Sequence, residues 1–179
     1  MRALQRGQHP AVPGHTFVVQ GRPLQTLNRV YYDIHALTSA IRASEGNLRT
    51  WALCLGTRHH DGHVREACVR ELARHDRPWA IPFVVQLLGD YVVEIVLVVL
   101  AAFADVDADV AGYVDFAREN PGFMVTTRRR ATSYWDCYYR SRYPLLRDYP
   151  AIVALDAIEH MSGVPGKGPK REFGPPSQP

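Results

Sequence analysis

The residues best equipped for chemistry stand together at Arg58-His59-His60-Asp61-Gly62-His63, with Cys54 one helical turn upstream. Neutral imidazoles, a thiolate and a carboxylate are ligands that zinc accepts, so His59, His60 and His63 are candidate metal ligands. A four-coordinate site needs further ligands, and no matching Cys, His or Asp cluster occurs elsewhere. Adjacent histidines also tend to point apart. The expectation is a solvated turn with no metal and no other cofactor. Nucleophilic catalysis has no better footing. The chain contains no Gly-x-Ser-x-Gly elbow, no His-Glu-x-x-His pair and no phosphate-cradling glycine loop, so no enzymatic activity is expected.

The second chemically equipped stretch is FMVTTRRRATSYWDCYYRSRYPLLRDYP. Tyrosine and tryptophan combine large apolar area with a polar handle, and arginine beside them gives the composition of binding hot spots. Candidate interface residues are therefore Arg128, Arg129, Arg130, Trp135, Tyr138, Tyr139, Arg140 and Arg142. A helix from Thr126 to Arg142 places Ala131, Tyr134, Trp135, Tyr138 and Tyr139 on one side and Arg129, Ser133, Asp136 and Arg140 opposite. The aromatic side is then either buried against an apolar helix, with arginines at its rim, or a surface for a partner. Charge is distributed unevenly around it. From Asp90 to Glu119 there are seven acids against Arg118, and from Thr126 to Arg147 six arginines against Asp136. Two such neighbours are expected to face each other.

The elements that must position these groups run from Asn47 to Asp105, which reads as stacked helix pairs. Val64, Ala67, Cys68 and Leu72 line one side of a helix, while Arg65, Glu66, Arg70, Glu71 and Arg74 take the other. Ile81, Val84, Val85 and Leu88 repeat the spacing before a turn at Leu88-Gly89-Asp90. Gly62-His63-Val64-Arg65-Glu66-Ala67, with a Pro-bearing helix start and a turn Asp in the next unit, resembles the HEAT repeat family of helical solenoids. The resemblance covers about a third of the chain. It implies an all-α fold, a short right-handed α-α superhelix closed by capping helices, working as a non-enzymatic protein-protein interaction scaffold of regulatory or immunity type.

The match departs from the family in two respects. Val64 and Val96 are closer together than the ~40–47 residues usual for a HEAT unit. The family's Arg after Val pairs with the turn Asp, but Leu97 follows Val96, so Asp90 is expected to lose its partner. From Val92 to Ala104 the only polar residue is Glu94, which calls for a helix covered on nearly all sides. Its valine content argues for a strand, while its length and its Ala101-Ala102-Phe103-Ala104 end argue for the helix. We expect the helix bearing Trp135 to cover it. The run is too short to cross a bilayer, which needs about 20 residues, so no membrane association is expected.

Taken in order, residues 1–15 carry Gly7, Pro10, Pro13 and Gly14 and read as an arm. Thr16 to Gln20 reads as a short extended segment ended by Gly21. Leu24 to Ala43 shows helical spacing, with Asp33 positioned to cap an inner helix, and Asn47 to cap the helix bearing Trp51. Asp105-Val106-Asp107 starts a short helix that Asn120-Pro121-Gly122 stops, and Ala151 to Met161 forms a last one. One domain over 16–162 and a disordered tail over 163–179, rich in Pro and Gly, complete the organisation. Three scattered cysteines make no disulfide framework, which points to the reducing cytoplasm. An unidentified protein partner is the leading expectation. The second reading is nucleic-acid backbone binding through Arg128-Arg129-Arg130, Arg140, Arg142 and the basic tail, resembling HEAT-like DNA glycosylases. That family's catalytic acid has no counterpart motif here, so its activity is not carried over.

Overall fold

The computed structural model describes residues 13–74, 77–103 and 110–162. Most of the predicted arm, the Asp105-Val106-Asp107 helix start and the predicted tail lie outside these residues. Helix dominates. The elements are β1 (Pro13–Val19), β2 (Arg22–Leu27), α1 (Ile34–Arg42), α2 (Gly46–Gly56), α3 (Gly62–Leu72), α4 (Ile81–Val85), α5 (Val93–Phe103), α6 (Val110–Glu119), α7 (Pro121–Tyr134) and α8 (Pro150–Ser162).

The chain is not purely helical, because an antiparallel hairpin opens it. The helical spacing expected from Leu24 onward is overruled by the turn before it. Gln20 and Gly21 both hold positive φ, at 52° and 72°, and a two-residue turn of that kind matches the twist of paired strands. Val19 then pairs with Arg22 and Phe17 with Leu24. The hairpin is fastened to the far end of the sequence. Asn120 Oδ1 accepts from Val18 N–H at 2.8 Å while Asn120 Nδ2 donates to Val18 C=O at 2.7 Å, so its side-chain amide continues the sheet as a third strand would. Glu119 accepts the turn N–H groups of Gln20 and Gly21. Phe17 seals the joint against Phe116 and Phe123.

Beyond the hairpin, Val30 N–H donates to Arg58 C=O at 2.9 Å and Val30 C=O accepts from His60 N–H at 3.0 Å. This short bridge ties the hairpin exit to the α2–α3 loop. Asp33 caps α1 as expected, its carboxylate accepting from Ala36 N–H, and Asp61 caps α3 in the same manner. Asn47 does not cap α2, which starts one residue earlier at Gly46 with Glu45 in the cap position. Asn120-Pro121 separates two helices with no loop between them, since proline at a first helical position forfeits only a donor that would be unsatisfied anyway.

Helices α1, α2 and α3 pack in sequence order, α3 meets α5, and α8 lies against α5, α6 and α7. The core runs through Leu53, Val69, Leu72, Val85, Leu87, Leu88, Ile95, Val99, Leu155 and Ile158. Helix α5 is therefore central, and α3 and α8 cover it, not the segment bearing Trp135. Leu97 is half-buried against the core, and along α5 only Glu94 and Ala101 reach solvent freely.

The buried face of α3 also differs from the expectation. Arg65, Cys68, Val69 and Leu72 face inward and Ala67 faces out, so the helix is turned to bury an arginine placed on its polar side by the sequence. Nor do the acidic and arginine-rich segments form opposed faces among the described residues. Arg128 instead pairs with Asp156 and Glu159 of α8, at 2.6 and 2.8 Å, and only the exposed Arg142–Glu94 pair, at 3.8 Å, crosses between the two.

A candidate arginine-lined binding cleft

Four separate segments converge on one cleft of about 370 Å³. The hairpin exit supplies Asn28, Arg29 and Tyr31, the α2–α3 loop supplies Arg58, the turn before α5 supplies Gln86, Gly89 and Asp90, and α7 supplies Arg130. Each is held by local structure. The Val30 bridge fixes Arg29 and Arg58 on adjacent strands of backbone. Gly89 lies against Thr127 and Arg130 of α7, which sets Arg130 on the rim.

Asp90 is the anchor of the cleft. Its Oδ1 accepts from Arg65 Nη2 and from Val92 N–H, both at 3.1 Å, and its Oδ2 accepts from Arg29 Nη2 at 3.1 Å. The expected loss of a partner at Asp90 is thus overturned. Leu97 does replace the Arg of its own unit, but Arg65 of the preceding helix and Arg29 of the hairpin exit fill the place. Arg65 is fully buried and also donates to the carbonyls of His59 and His60. Burial, the largest influence, pushes the Asp90 carboxyl up, but the combined pull of Arg65, Arg29 and the Val92 N–H holds it below the ordinary aspartate value. An ionised carboxylate with its acceptor sites filled is a poor general base.

Arg58 has no such partner. It is only 7% exposed and its Nε donates to Leu27 C=O at 3.1 Å, but no carboxylate among the described residues lies within ion-pair distance of it or of Arg130. Burial first and then Arg29 lower the Arg58 pKa, Asp90 pulls it partly back, and Arg130 and Arg65 lower it further, to about 10. Four guanidiniums, those of Arg29, Arg58, Arg65 and Arg130, thus surround one carboxylate. Their field extends past the cleft: His15 is lowered by burial and then by Arg130 and Arg58. Gln86 Oε1, also in the lining, is buried with no hydrogen-bond partner.

The histidine cluster is in part the solvated turn that its composition suggests, with His60 and His63 exposed, but His59 departs from it. His59 is fully buried, its Nε2 facing Tyr32 C=O at 2.9 Å and its Nδ1 accepting from Asp61 N–H at 3.1 Å. A carbonyl can only accept, so the proton sits on Nε2 and neither ring nitrogen keeps a lone pair for a metal. Burial lowers its pKa and favours this neutral form. His60 stacks on Tyr31 at 4.9 Å, and His63 is exposed at the start of α3.

The predicted interface residues are scattered by the structure. The three consecutive arginines, about 100° apart around α7, take three directions: Arg128 to the acids of α8, Arg129 to solvent and Arg130 to the cleft. The helix then widens into a π-turn over Trp135–Tyr139, which separates residues that regular spacing would keep on one side. Tyr139 turns inward, its OH donating to Tyr91 C=O at 2.7 Å and accepting from Val93 N–H at the start of α5. Trp135 Nε1 donates to Tyr143 C=O at 2.7 Å, and the Arg140 guanidinium lies 5.0 Å over its ring while pairing with Asp136. Tyr138 turns out, 68% exposed. It belongs to a surface run of rings in which Tyr134 meets both Tyr138 and Tyr91, and Tyr91 in turn lies under the Arg65 guanidinium at the edge of the cleft.

Comparison of the chain with protein-family models, curated proteins and solved structures finds no match. Sequence reasoning missed Arg29, Gln86 and the buried role of Arg65, and saw Arg58 only as part of a turn. The usable signal was the turn Asp90, a carboxylate in an apolar context that demands a cation from elsewhere in the chain.

Proposed function

We propose that this chain is a non-enzymatic protein-binding scaffold, built on HEAT-like helix pairs in a short right-handed solenoid and working in the reducing cytoplasm. Its binding face is the tyrosine run beside the arginine cleft, and its partner is a protein segment carrying acidic character. The observation that supports this most is the run Tyr91–Tyr134–Tyr138, three rings in successive contact whose outer members are 49% and 68% exposed. Tyrosines beside unpaired arginines are the groups that dominate binding energy at protein interfaces. The in-order packing of α1, α2 and α3, and the Arg65–Asp90 pair joining one helix pair to the next turn, support the HEAT-like reading.

Two surface variants test it. Tyr138→Ser and Arg129→Glu change only exposed side chains, so their melting temperatures are expected to match wild type within 1–2 °C. A cellular protein cross-linked by wild type and lost by both variants supports the reading; equal retention by both refutes it. Nucleic-acid backbone binding fits less well. Duplex phosphates are best met by a ridge of free cations, whereas Arg128 is committed to α8 and Arg130 is set in a concavity. Fluorescence anisotropy with a generic duplex at low salt would overturn this preference if it found tight binding that weakened steeply with added salt.

A further inference from the structure

The cleft presents charge that the protein does not itself neutralise. Arg58 is almost fully buried with no carboxylate at ion-pair distance among the described residues, and Asp90, which acts on it from farther off, is already shared between Arg65 and Arg29. Arg130 converges on the same space from α7. A carboxylate ligand is a single planar charge with two oxygens and leaves most of this field unanswered. A phosphate monoester carries close to two negative charges near neutral pH and three terminal oxygens that accept from different directions, which suits guanidiniums arriving from separate segments.

We propose that the cleft binds a phosphate monoester, its dianion held between Arg58 and Arg130 with Arg29 at its side. Arg65 and Asp90 act as positioning residues. Asp90 occupies Arg29 and Arg65 in the free protein, and so keeps the floor of the cleft folded without an anion in place. The site rests on the cleft alone and not on the tyrosine run.

Isothermal titration of the full chain with inorganic phosphate, phenyl phosphate and a short phosphoserine peptide, in a buffer of fixed ionic strength, tests the site. Wild type is expected to bind at least one of the two esters, with affinity rising from pH 5.5 to 7.5 as the ester loses its second proton near pH 6. Arg130→Gln, an exposed change that leaves folding intact, is expected to weaken binding at least tenfold, and Arg58→Met to abolish it. Should Arg58→Met fail to fold, Arg130→Gln alone decides. Tighter binding of the peptide than of phenyl phosphate assigns a phosphate carried by protein, the reverse order assigns a small phosphate ester, and binding of inorganic phosphate in preference to both esters overturns the monoester assignment. The proposal is overturned if acetate or an unphosphorylated acidic peptide binds as well, if Arg130→Gln binds like wild type, or if phosphate stabilises the chain no more than sodium chloride. Tyr138→Ser is expected to leave phosphate affinity unchanged, which separates failure of this site from failure of the protein-binding face.

Discussion

Asp90→Asn is the most informative single perturbation of the fold, because it removes a charge without removing shape. The Arg65 side chain is 0% exposed and that of Asp90 2% exposed, so the pair is sealed from water. Asparagine keeps one acceptor oxygen but turns the other into an NH₂ group. One of the two arginines would then face a donor, and Arg65 would remain charged in the interior with only the carbonyls of His59 and His60 to accept from it. Breaking a buried pair by removing one partner costs about 3–5 kcal/mol, a large part of the ~5–15 kcal/mol that stabilises a typical domain. Urea denaturation followed by circular dichroism would show the loss as a lower midpoint at unchanged slope. A double-mutant cycle with Arg65→Met isolates the pair. Removing both charges should recover much of the loss, because replacing a buried ion pair by apolar groups is often close to neutral. A loss under about 1 kcal/mol in Asp90→Asn would refute the reasoning. The sign with pH follows from the depressed carboxyl. Its contribution is fully present above the unfolded aspartate value of about 3.9 and is lost as pH falls through the lower folded value. Acid destabilisation is therefore expected to be steeper in wild type than in Asp90→Asn.

Three other outcomes follow from separate parts of the structure. Asn120→Ala leaves Val18 N–H and C=O without the side chain that satisfies them, and is expected to cost about 1–3 kcal/mol and to speed hydrogen exchange at Val18; unchanged exchange would refute the clasp. Gly56→Ala drives a Cβ into Cys68 Sγ, an overlap expected to cost about 1–3 kcal/mol by thermal or chemical denaturation, with partial recovery when Cys68→Ala is added. Cys54 and Cys68 are buried, and burial pushes both thiols up, Cys68 to about 12, whereas Cys137 is exposed. A disulfide reagent at pH 8 is thus expected to label one thiol in the folded protein and all three only in denaturant, and rapid native labelling of two or more would contradict the packing of α2 on α3.

Much of the helical framework was legible in the sequence, because its signals are local. Asp33 precedes its helix by one residue, the apolar run at Val93–Phe103 exceeds any single buried strand, and Ala151 to Met161 falls within α8. Each of these depends on neighbours within a turn or two of helix. The hairpin was only half legible: the extended segment ended by Gly21 was visible, but the helical spacing of Leu24, Leu27 and Val30 carried more weight than a turn whose first strand is fastened by Asn120, about a hundred positions away. The spacing placed Cys68 and Leu72 inward correctly, but the rotation of α3 that buries Arg65 and turns Ala67 out was decided by tertiary structure. Arg65 looks like a surface residue until Asp90, 25 positions on, is brought beside it, and Asp90 looks unpartnered until Arg29, 61 positions back, arrives as well. The cleft is the same case enlarged. Its arginines lie in three segments with no common spacing, and a charge can be buried only where distant groups meet to offset its desolvation. Helical periodicity reports the direction of a side chain on its own element; only packing determines what stands opposite.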